Sequence, residues 1–310
     1  MTTTTKKLAV LLNGRSGTAL DAAGRERLEK AFAEAGCDAT IRVLAAGDDV
    51  VRAIARAAEE KPYAVVVGGG DGTLSTAAGV LADGPIPLGV LPLGTLNHFA
   101  RDLGIPSGLE EAVKTIATGE RIEVDVAEVN GRVFINNSSL GIYPSIVRRR
   151  EILRQELPFA RKKGPALLWA TVLALRAAPL LEVELKIEGQ TPRLRTPFVF
   201  IGNNQYTLEG LSAGTREGLQ DGLLGVHTTT REDRFGVVLL ALRALFGRLS
   251  GTRDFKSATV PSFEVRSRRS RLLVATDGEV QVMETPLRYR IRPRALPVLV
   301  PTAEAKREAA

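Results

Sequence analysis

Val65-Val66-Val67-Gly68-Gly69-Gly70-Asp71-Gly72-Thr73-Leu74-Ser75 sets the reading of the whole chain. Three β-branched residues in a row read as a strand buried on both faces, the habit of parallel sheets. The strand runs into glycines, and Thr73 then opens a run of helix formers through Ala77, Ala78, Val80, Leu81 and Ala82. Glycine at a strand-to-helix turn lets backbone N–H groups approach an anion closely, and the helix N-terminus adds partial positive charge. The segment therefore reads as a phosphate cradle, against the plainer alternative of a tight βα turn. Two familiar cradles do not fit: no Lys-Ser/Thr follows the glycines, and G-x-G-x-x-G lacks its third glycine.

Outward from this loop, strand and helix alternate. Residues 8–12 form an apolar strand ending in Asn13-Gly14-Arg15-Ser16-Gly17. A helix follows with Leu28, Phe32 and Ala35 on one face and Arg25, Glu29 and Lys30 on the other. Residues 39–44 alternate as a strand, and Asp48 or Asp49 caps a helix striped by Val51, Ile54 and Ala58. Residues 63–67 lead into the glycine loop, and the strand at 87–91 leaves through Pro92-Leu93-Gly94-Thr95-Leu96-Asn97. Short links between such elements predict a parallel sheet covered by helices. Ligands of such sheets sit beyond the carboxyl ends of the strands, where loops 13–17, 68–73 and 92–97 are expected to converge.

The rhythm changes near residue 122. Ile122-Glu123-Val124-Asp125-Val126-Ala127-Glu128-Val129 alternates, Asn130-Gly131 is a two-residue hairpin signal, and Val133-Phe134-Ile135 returns. Segments 181–188, 196–201, 223–230, 259–266, 271–276, 279–283 and 287–291 read as further, largely antiparallel strands. A second, β-rich domain is expected from about residue 128. Two helical insertions interrupt it. Residues 143–163 carry Arg148, Arg149, Arg150, Arg154, Arg161, Lys162 and Lys163 and run into Leu167-Leu168-Trp169; residues 235–249 form an apolar helix broken by Arg243 and Arg248. Basic residues beside apolar ones suit peripheral contact with anionic lipid. A solvated charged face beside core-packing helices is the plainer reading of the same pattern.

A chain of 310 residues is long enough for two cores. Its single cysteine, Cys37, excludes an internal disulfide, fits a reducing compartment, and reads as a small core residue. No run reaches the 18 or so apolar residues that span a bilayer. The short apolar run after Lys6-Lys7 stops at Asn13 and reads as a first strand, not a signal peptide. A cytoplasmic protein is expected, peripheral at the inner membrane surface. The net charge of +7 favours anionic partners, and an aromatic content of 5% leaves few stacking platforms for bases. Phosphate ligands and acidic lipid surfaces therefore rank ahead of nucleic acid, which is not expected as a partner. A homodimer is left open.

Gly69-Gly70-Asp71-Gly72-Thr73 resembles the diacylglycerol kinase catalytic-domain superfamily, which takes in diacylglycerol, sphingosine and ceramide kinases and bacterial soluble lipid kinases. The same residues are similar to loops of NAD kinases and phosphofructokinases, so alone they leave the substrate open. Asn13-Gly14-Arg15-Ser16-Gly17 resembles the family's N-P-x-S-G loop. Leu93-Gly94-Thr95-Leu96-Asn97-His98-Phe99-Ala100-Arg101-Asp102-Leu103-Gly104-Ile105-Pro106 resembles L-G-T-x-N-D-F-A-x-x-L-G-I-P, and Asp277-Gly278-Glu279 resembles the D-G-E turn. The resemblance runs in order over nearly the whole chain. It implies an α/β plus β-rich fold. Residues 1–127 would form a three-layer α/β ATP-binding domain like that of NAD kinase and phosphofructokinase. Residues 128–294 would form an antiparallel β-sandwich-like domain for the lipid substrate, and the tail 295–310, with Leu296-Pro297-Val298-Leu299-Val300, would return to the first domain.

The resemblance also implies the parts of a phosphoryl transfer, which needs phosphate positioning, charge neutralisation and a base near the attacking oxygen. Gly68, Gly69, Gly70, Gly72 and Thr73 would cradle ATP phosphates, with Asn13, Gly14, Arg15, Ser16, Gly17, Thr95 and Asn97 lining the nucleotide. Asp71 would repel triphosphate oxygens unless a cation intervenes, which puts it close to catalytic Mg²⁺; helix capping is the alternative, and the two are compatible. Asp277 is the implied general base, supported by Glu279, although Asp-Gly between strands also makes a type I′ turn with no catalysis required. Asp221 of Asp221-Gly222-Leu223-Leu224, with carbonyls of Gly218 and Leu223, is the implied structural Mg²⁺ set, hard oxygen donors that suit that ion.

Four positions depart from the family pattern: His98 stands where Asp is usual, Gln220 where a second acidic residue is frequent, Val43 for a nucleotide-binding Thr, and Gly14 for Pro. These bear on nucleotide and metal binding, not on the fold. His98 reads as a substrate-side group or a helix-packing residue, and His227 as structural. The implied activity is ATP- and Mg²⁺-dependent phosphorylation of a hydroxyl on a membrane lipid such as diacylglycerol. Its rivals are a kinase of the same superfold with a soluble, NAD-like substrate and a catalytically silent nucleotide- or lipid-binding regulator.

Overall fold

The computed structural model describes residues 5–14, 21–45, 48–145, 147–148, 180–187, 189–206, 216, 218–229 and 255–308. The chain divides into two compact units. The first comprises Met1–Val126, Arg132–Asn136 and Arg292–Ala310. Its strands β1 (Lys6–Asn13), β2 (Cys37–Leu44), β3 (Ala64–Gly69) and β4 (Leu88–Pro92) are parallel in the order β2-β1-β3-β4. The chain's last strand joins beside β4 in parallel, with Val298 opposite Leu88. The helices are α1 (Ala22–Glu34), α2 (Val50–Glu59), α3 (Asp71–Leu81), α4 (His98–Asp102) and α5 (Leu109–Thr118).

The strand order reverses direction after β2. Right-handed crossovers then put α1 on one face of the sheet and α2 and α3 on the other. The helix contacts agree, since α1 packs on α5 and α2 packs on α3. Every residue of β3 is accordingly buried, as its apolar run predicts. Asp49, not Asp48, caps α2 by accepting from Arg52 N at 3.1 Å, and Asp21 caps α1 by accepting from Gly24 N at 2.7 Å. Cys37 is buried at the start of β2, and burial pushes its thiol pKa up.

The second unit comprises Ala127–Gly131 and Asn137–Ile291. Strand β5 (Glu120–Val129) enters it, turns at Asn130-Gly131, and returns as β6 (Arg132–Phe134). Both turn residues have positive φ, 48° and 84°, as a type I′ turn requires. Then follow β7 (Asn137–Gly141), β8 (Leu181–Lys186), β9 (Arg193–Thr196), β10 (Phe198–Asn203), β11 (Leu224–Thr229), β12 (Phe255–Val260), β13 (Ser262–Arg266), β14 (Arg271–Thr276), β15 (Glu279–Glu284) and β16 (Leu287–Val300), ahead of the C-terminal helix α6 (Ala303–Glu308).

One sheet of the second unit is antiparallel in the order β12-β11-β10-β7-β14-β15; the other sets the first half of β16 against β13, β8 and β9. The two pack as a sandwich. Tyr289 of β16 stacks on Phe263 of β13 with ring centroids 4.9 Å apart, and its hydroxyl meets Ser138 Oγ of β7 at 3.1 Å. Burial pushes the Tyr289 hydroxyl pKa well above its ordinary value.

The stretch 259–266, expected as one strand, is two. Pro261 has no N–H to give a ladder, so pairing stops there and the chain passes from one sheet to the other. Strands β7 and β9 were not expected; their short, polar sequences lack clear alternation. Residues 142–145 and 147–148 are helical, while the rest of the basic insertion and the apolar helix expected at 235–249 lie outside the described residues. Among the described residues no helix is long and apolar enough to cross a membrane.

Candidate active site

The order of the first sheet switches direction between β1 and β3, and ligands of open α/β sheets bind at such a point. The loops that leave these strands meet there. Asn13 Nδ2 donates to Thr73 Oγ1 at 2.8 Å, and Gly14 N donates to Leu44 O at 3.2 Å. Gly70 and Gly94 lie backbone against backbone: a Cβ on Gly70 would sit 3.4 Å from the Gly94 Cα, and one on Gly94 would run into the Gly70 Cα. At Gly69 a Cβ would meet Thr73 at 2.7 Å. Gly69 and Gly94 are thus demanded by close approach, whereas a Cβ on Gly70 would meet only an ordinary contact. Gly70 is the N-cap of α3 and offers no side-chain cap. Contrary to the expectation for the Thr73 amide, Thr73 N and Leu74 N already donate to Gly70 O at 2.9 and 3.1 Å, which leaves the amides of Asp71 and Gly72 at the helix start to face an anion.

Asp71, the first residue of α3, accepts three hydrogen bonds on its carboxylate. Its Oδ1 accepts from Phe99 N at 3.0 Å and Asn136 Nδ2 at 3.1 Å; its Oδ2 accepts from His98 N at 3.2 Å. The capping expected of it is real but serves α4, not its own helix. Loop 92–97 is held from the other side by Asn97, whose backbone is left-handed at φ 48°. The Asn97 side chain accepts from Gly94 N at 2.9 Å and donates to Pro92 O and Gly94 O at 3.0 and 2.9 Å. Thr95 and Leu96, between these anchors, are exposed. The His98 ring contacts Arg101 at 2.9 Å through Nδ1.

In the second unit Asp277 and Gly278 connect β14 to β15 with positive φ, 47° and 84°, so the Asp-Gly pair forms the expected I′ turn. Asp277 Oδ1 also accepts from Asn137 N at 3.0 Å, while its own N donates to Asn137 O at 2.9 Å. Glu279 opens β15 opposite Thr276 and is exposed. Asp221 lies in the loop before β11, its carboxylate packed where a side chain on Gly218 would otherwise stand. Gly222 beside it has φ +69°. Asp221 and the backbone carbonyls of Gly218 and Leu223 are hard oxygen groups of the kind that Mg²⁺ takes. Among the described residues no cluster of three or more His, Cys, Asp and Glu side chains exists, so any such site leans on backbone oxygens.

Residues 7–129 match the family described as the diacylglycerol kinase catalytic domain, and residues 155–300 match the YegS C-terminal NAD kinase beta sandwich-like domain. Over 303 residues the chain is 31% identical to the “Probable lipid kinase YegS-like” of Pseudomonas aeruginosa PAO1, covering 95% of this chain and 94% of that protein. This chain belongs to the diacylglycerol kinase catalytic-domain family. The “Probable lipid kinase YegS” of Salmonella arizonae is 36% identical over 254 residues, 79% of each chain. The fold is that of a diacylglycerol kinase structure from Bacillus anthracis str. Sterne, with a TM-score of 0.69, 21% identity and coverage of 97% of this chain and 98% of that one.

Within this diacylglycerol kinase-family chain, Arg15, Ser16 and Gly17 lie outside the described residues. Val43 is exposed and borders Gly14, its Cγ1 3.4 Å from where a Cβ there would stand. His227 is buried in β11; its Nδ1 meets Ser257 Oγ at 2.8 Å and burial pushes its pKa down. Two site residues escaped sequence reading: Asn136, the side-chain donor to Asp71, and Asn137, the backbone partner of Asp277. Their signal was a polar Asn-Asn-Ser-Ser run directly after apolar Phe134-Ile135.

Proposed function

We propose that this protein transfers the γ-phosphoryl group of ATP to a hydroxyl of a membrane-borne lipid, with Mg²⁺ as the neutralising cation. The observation that carries this reading is a 31% identity maintained over 95% of the chain with a relative named as a lipid kinase. Convergence of Asn13, the glycines 68–70, Thr73 and Gly94 at the switch point supports phosphate binding in the first unit. Gly68, Gly69, Gly70, Gly72 and Thr73 would receive the phosphates, with Asn13, Gly14, Thr95 and Asn97 along the nucleotide. Mg²⁺ would supply charge neutralisation on the phosphate oxygens, and Asp71 would face it from the start of α3 while bracing α4.

Asp277 would act on the acceptor hydroxyl as general base, with Glu279 beside it. A carboxylate in that role orients the hydroxyl as much as it removes the proton. Asp221 would hold a second, structural Mg²⁺. The net charge of +7 supports peripheral approach to an anionic membrane.

The test is phosphoryl transfer from [γ-³²P]ATP with Mg²⁺ into detergent-dispersed total lipid extract, NAD being assayed in parallel. Label in a chloroform-soluble product, lost in Asp277→Ala, is expected. Label confined to a water-soluble product would move the reading to a soluble-substrate kinase. ATP binding with no transfer would move it to a silent regulator.

A further inference from the structure

His98 opens α4, and its backbone and its ring have different partners. The backbone N–H donates to Asp71 Oδ2 at 3.2 Å, which ties the residue to the start of α3. The ring Nδ1 lies 2.9 Å from Nη2 of Arg101, one helical turn further on. A guanidinium only donates, so Nδ1 accepts and the ring carries its N–H on Nε2. A proton on Nδ1 would set two donors against each other. Nε2 meets no protein group among the described residues, and the residue is half-buried. The ring is thus held in one tautomer with an N–H left to give.

The surroundings indicate what takes that hydrogen bond. Asp71 is already served by three N–H groups, so Nε2–H is surplus to its bonding. Beside it, the amides of Asp71 and Gly72 face an anion at the start of α3. In the sheet order β1-β3-β4, Asn13 ends β1 and α4 follows the loop after β4. Adjacent strands lie about 4.8 Å apart, so two spacings separate these loops by about 10 Å. That is comparable with the distance from the ribose of ATP to its last phosphate. A nucleotide with its nucleoside at the β1 end therefore brings its terminal phosphate to the β4 end. An aspartate at position 98 could only accept and would repel that phosphate, whereas this histidine donates.

We infer that His98 recognises the terminal phosphate of the bound nucleotide through Nε2–H, and that Arg101 is the positioning residue that fixes the donating tautomer. This rests on the ATP-binding part of the kinase reading above.

The test titrates full-length wild type, His98→Ala, His98→Gln and His98→Asp with ATP, ADP and AMP in Mg²⁺. His98→Ala is expected to weaken ATP about ten- to a hundredfold, the loss of a hydrogen bond to a charged acceptor, and to leave ADP and AMP unchanged. His98→Gln, whose amide N–H reaches about as far as Nε2, should keep most of the ATP affinity. His98→Asp should lose at least as much as alanine. Equal losses for all three nucleotides, or an aspartate variant that binds ATP like wild type, would make His98 structural and overturn the inference. The chain has two histidines, so long-range ¹H–¹⁵N spectra in mildly alkaline buffer give a second readout. The His98 signals, identified by their loss in His98→Gln, should show the proton on Nε2 and shift with ATP, and Arg101→Ala should mix the tautomers. A proton on Nδ1 in wild type, or a ring insensitive to ATP, would refute the assignment. Lipid phosphorylation with His98→Ala binding ATP like wild type would leave the kinase reading standing and this inference refuted. ATP binding that depends on His98 without any transfer to lipid would do the reverse.

Discussion

At the scale of single residues, hydrogen bonding explains why a carboxylate stands at position 71. Its two oxygens take three N–H donors from two places in the chain: His98 and Phe99 at the start of α4, and Asn136. An asparagine would turn an NH₂ toward at least one of these donors. Asp71→Asn is therefore expected to lose about 1–3 kcal/mol of stability, read from urea unfolding, in addition to any loss of phosphoryl transfer. An unchanged midpoint would show that the bonds are dispensable. His227 makes the pH-sensitive contribution. Burial lowers its pKa in the folded protein, so the unfolded chain binds the extra proton first as pH falls. Its contribution is complete above about pH 6.5 and is lost as pH drops through the depressed folded value. The unfolding midpoint should fall more steeply below pH 6.5 in wild type than in His227→Phe; parallel curves would refute this.

At the scale of elements, the site is a matter of how closely two loops approach. Gly70 and Gly94 touch through their backbones, and a Cβ on Gly94 would also lie 2.7 Å from Asn97 Oδ1. Gly94→Ala is expected to cost about 1–3 kcal/mol through overpacking and to weaken ATP binding by displacing the 92–97 loop, measured by thermal unfolding and nucleotide titration. Binding like wild type would mean that the loop yields without consequence for the nucleotide. The local grammar of these elements was readable in advance. Strand, glycines and helix at 65–82, the caps, and the two I′ turns at Asn130-Gly131 and Asp277-Gly278 follow from propensities of adjacent residues. The break at Pro261 was legible in principle, because proline cannot donate to a ladder; that it also marks a change of sheet was not.

At the scale of the whole molecule, the first unit is assembled from three separate pieces of chain, the last being Arg292–Ala310. Leu296, Val298, Leu299 and Val300 are buried beside β4. Burying such side chains contributes about 1.5–3 kcal/mol each, which together rivals the 5–15 kcal/mol that typically stabilises a domain. A chain ending at Ile291 is expected to lose cooperative unfolding of the first unit and its protection by ATP against limited proteolysis. Retained protection would show that four parallel strands suffice without the fifth.

Residue order alone carried the α/β pattern and the passage to antiparallel strands near residue 128, both resting on neighbours within a few positions, where propensity, alternation and turn chemistry act. The candidate carboxylates Asp71, Asp221 and Asp277 were singled out by the resemblance to the kinase family. Folding in three dimensions settled which partners those groups acquire. Asn136 reaches Asp71 across 65 positions, and Asn137 meets Asp277 across 140. Such pairs depend on strand order and register, which emerge only when whole elements bury their apolar faces together. No local pattern encodes them.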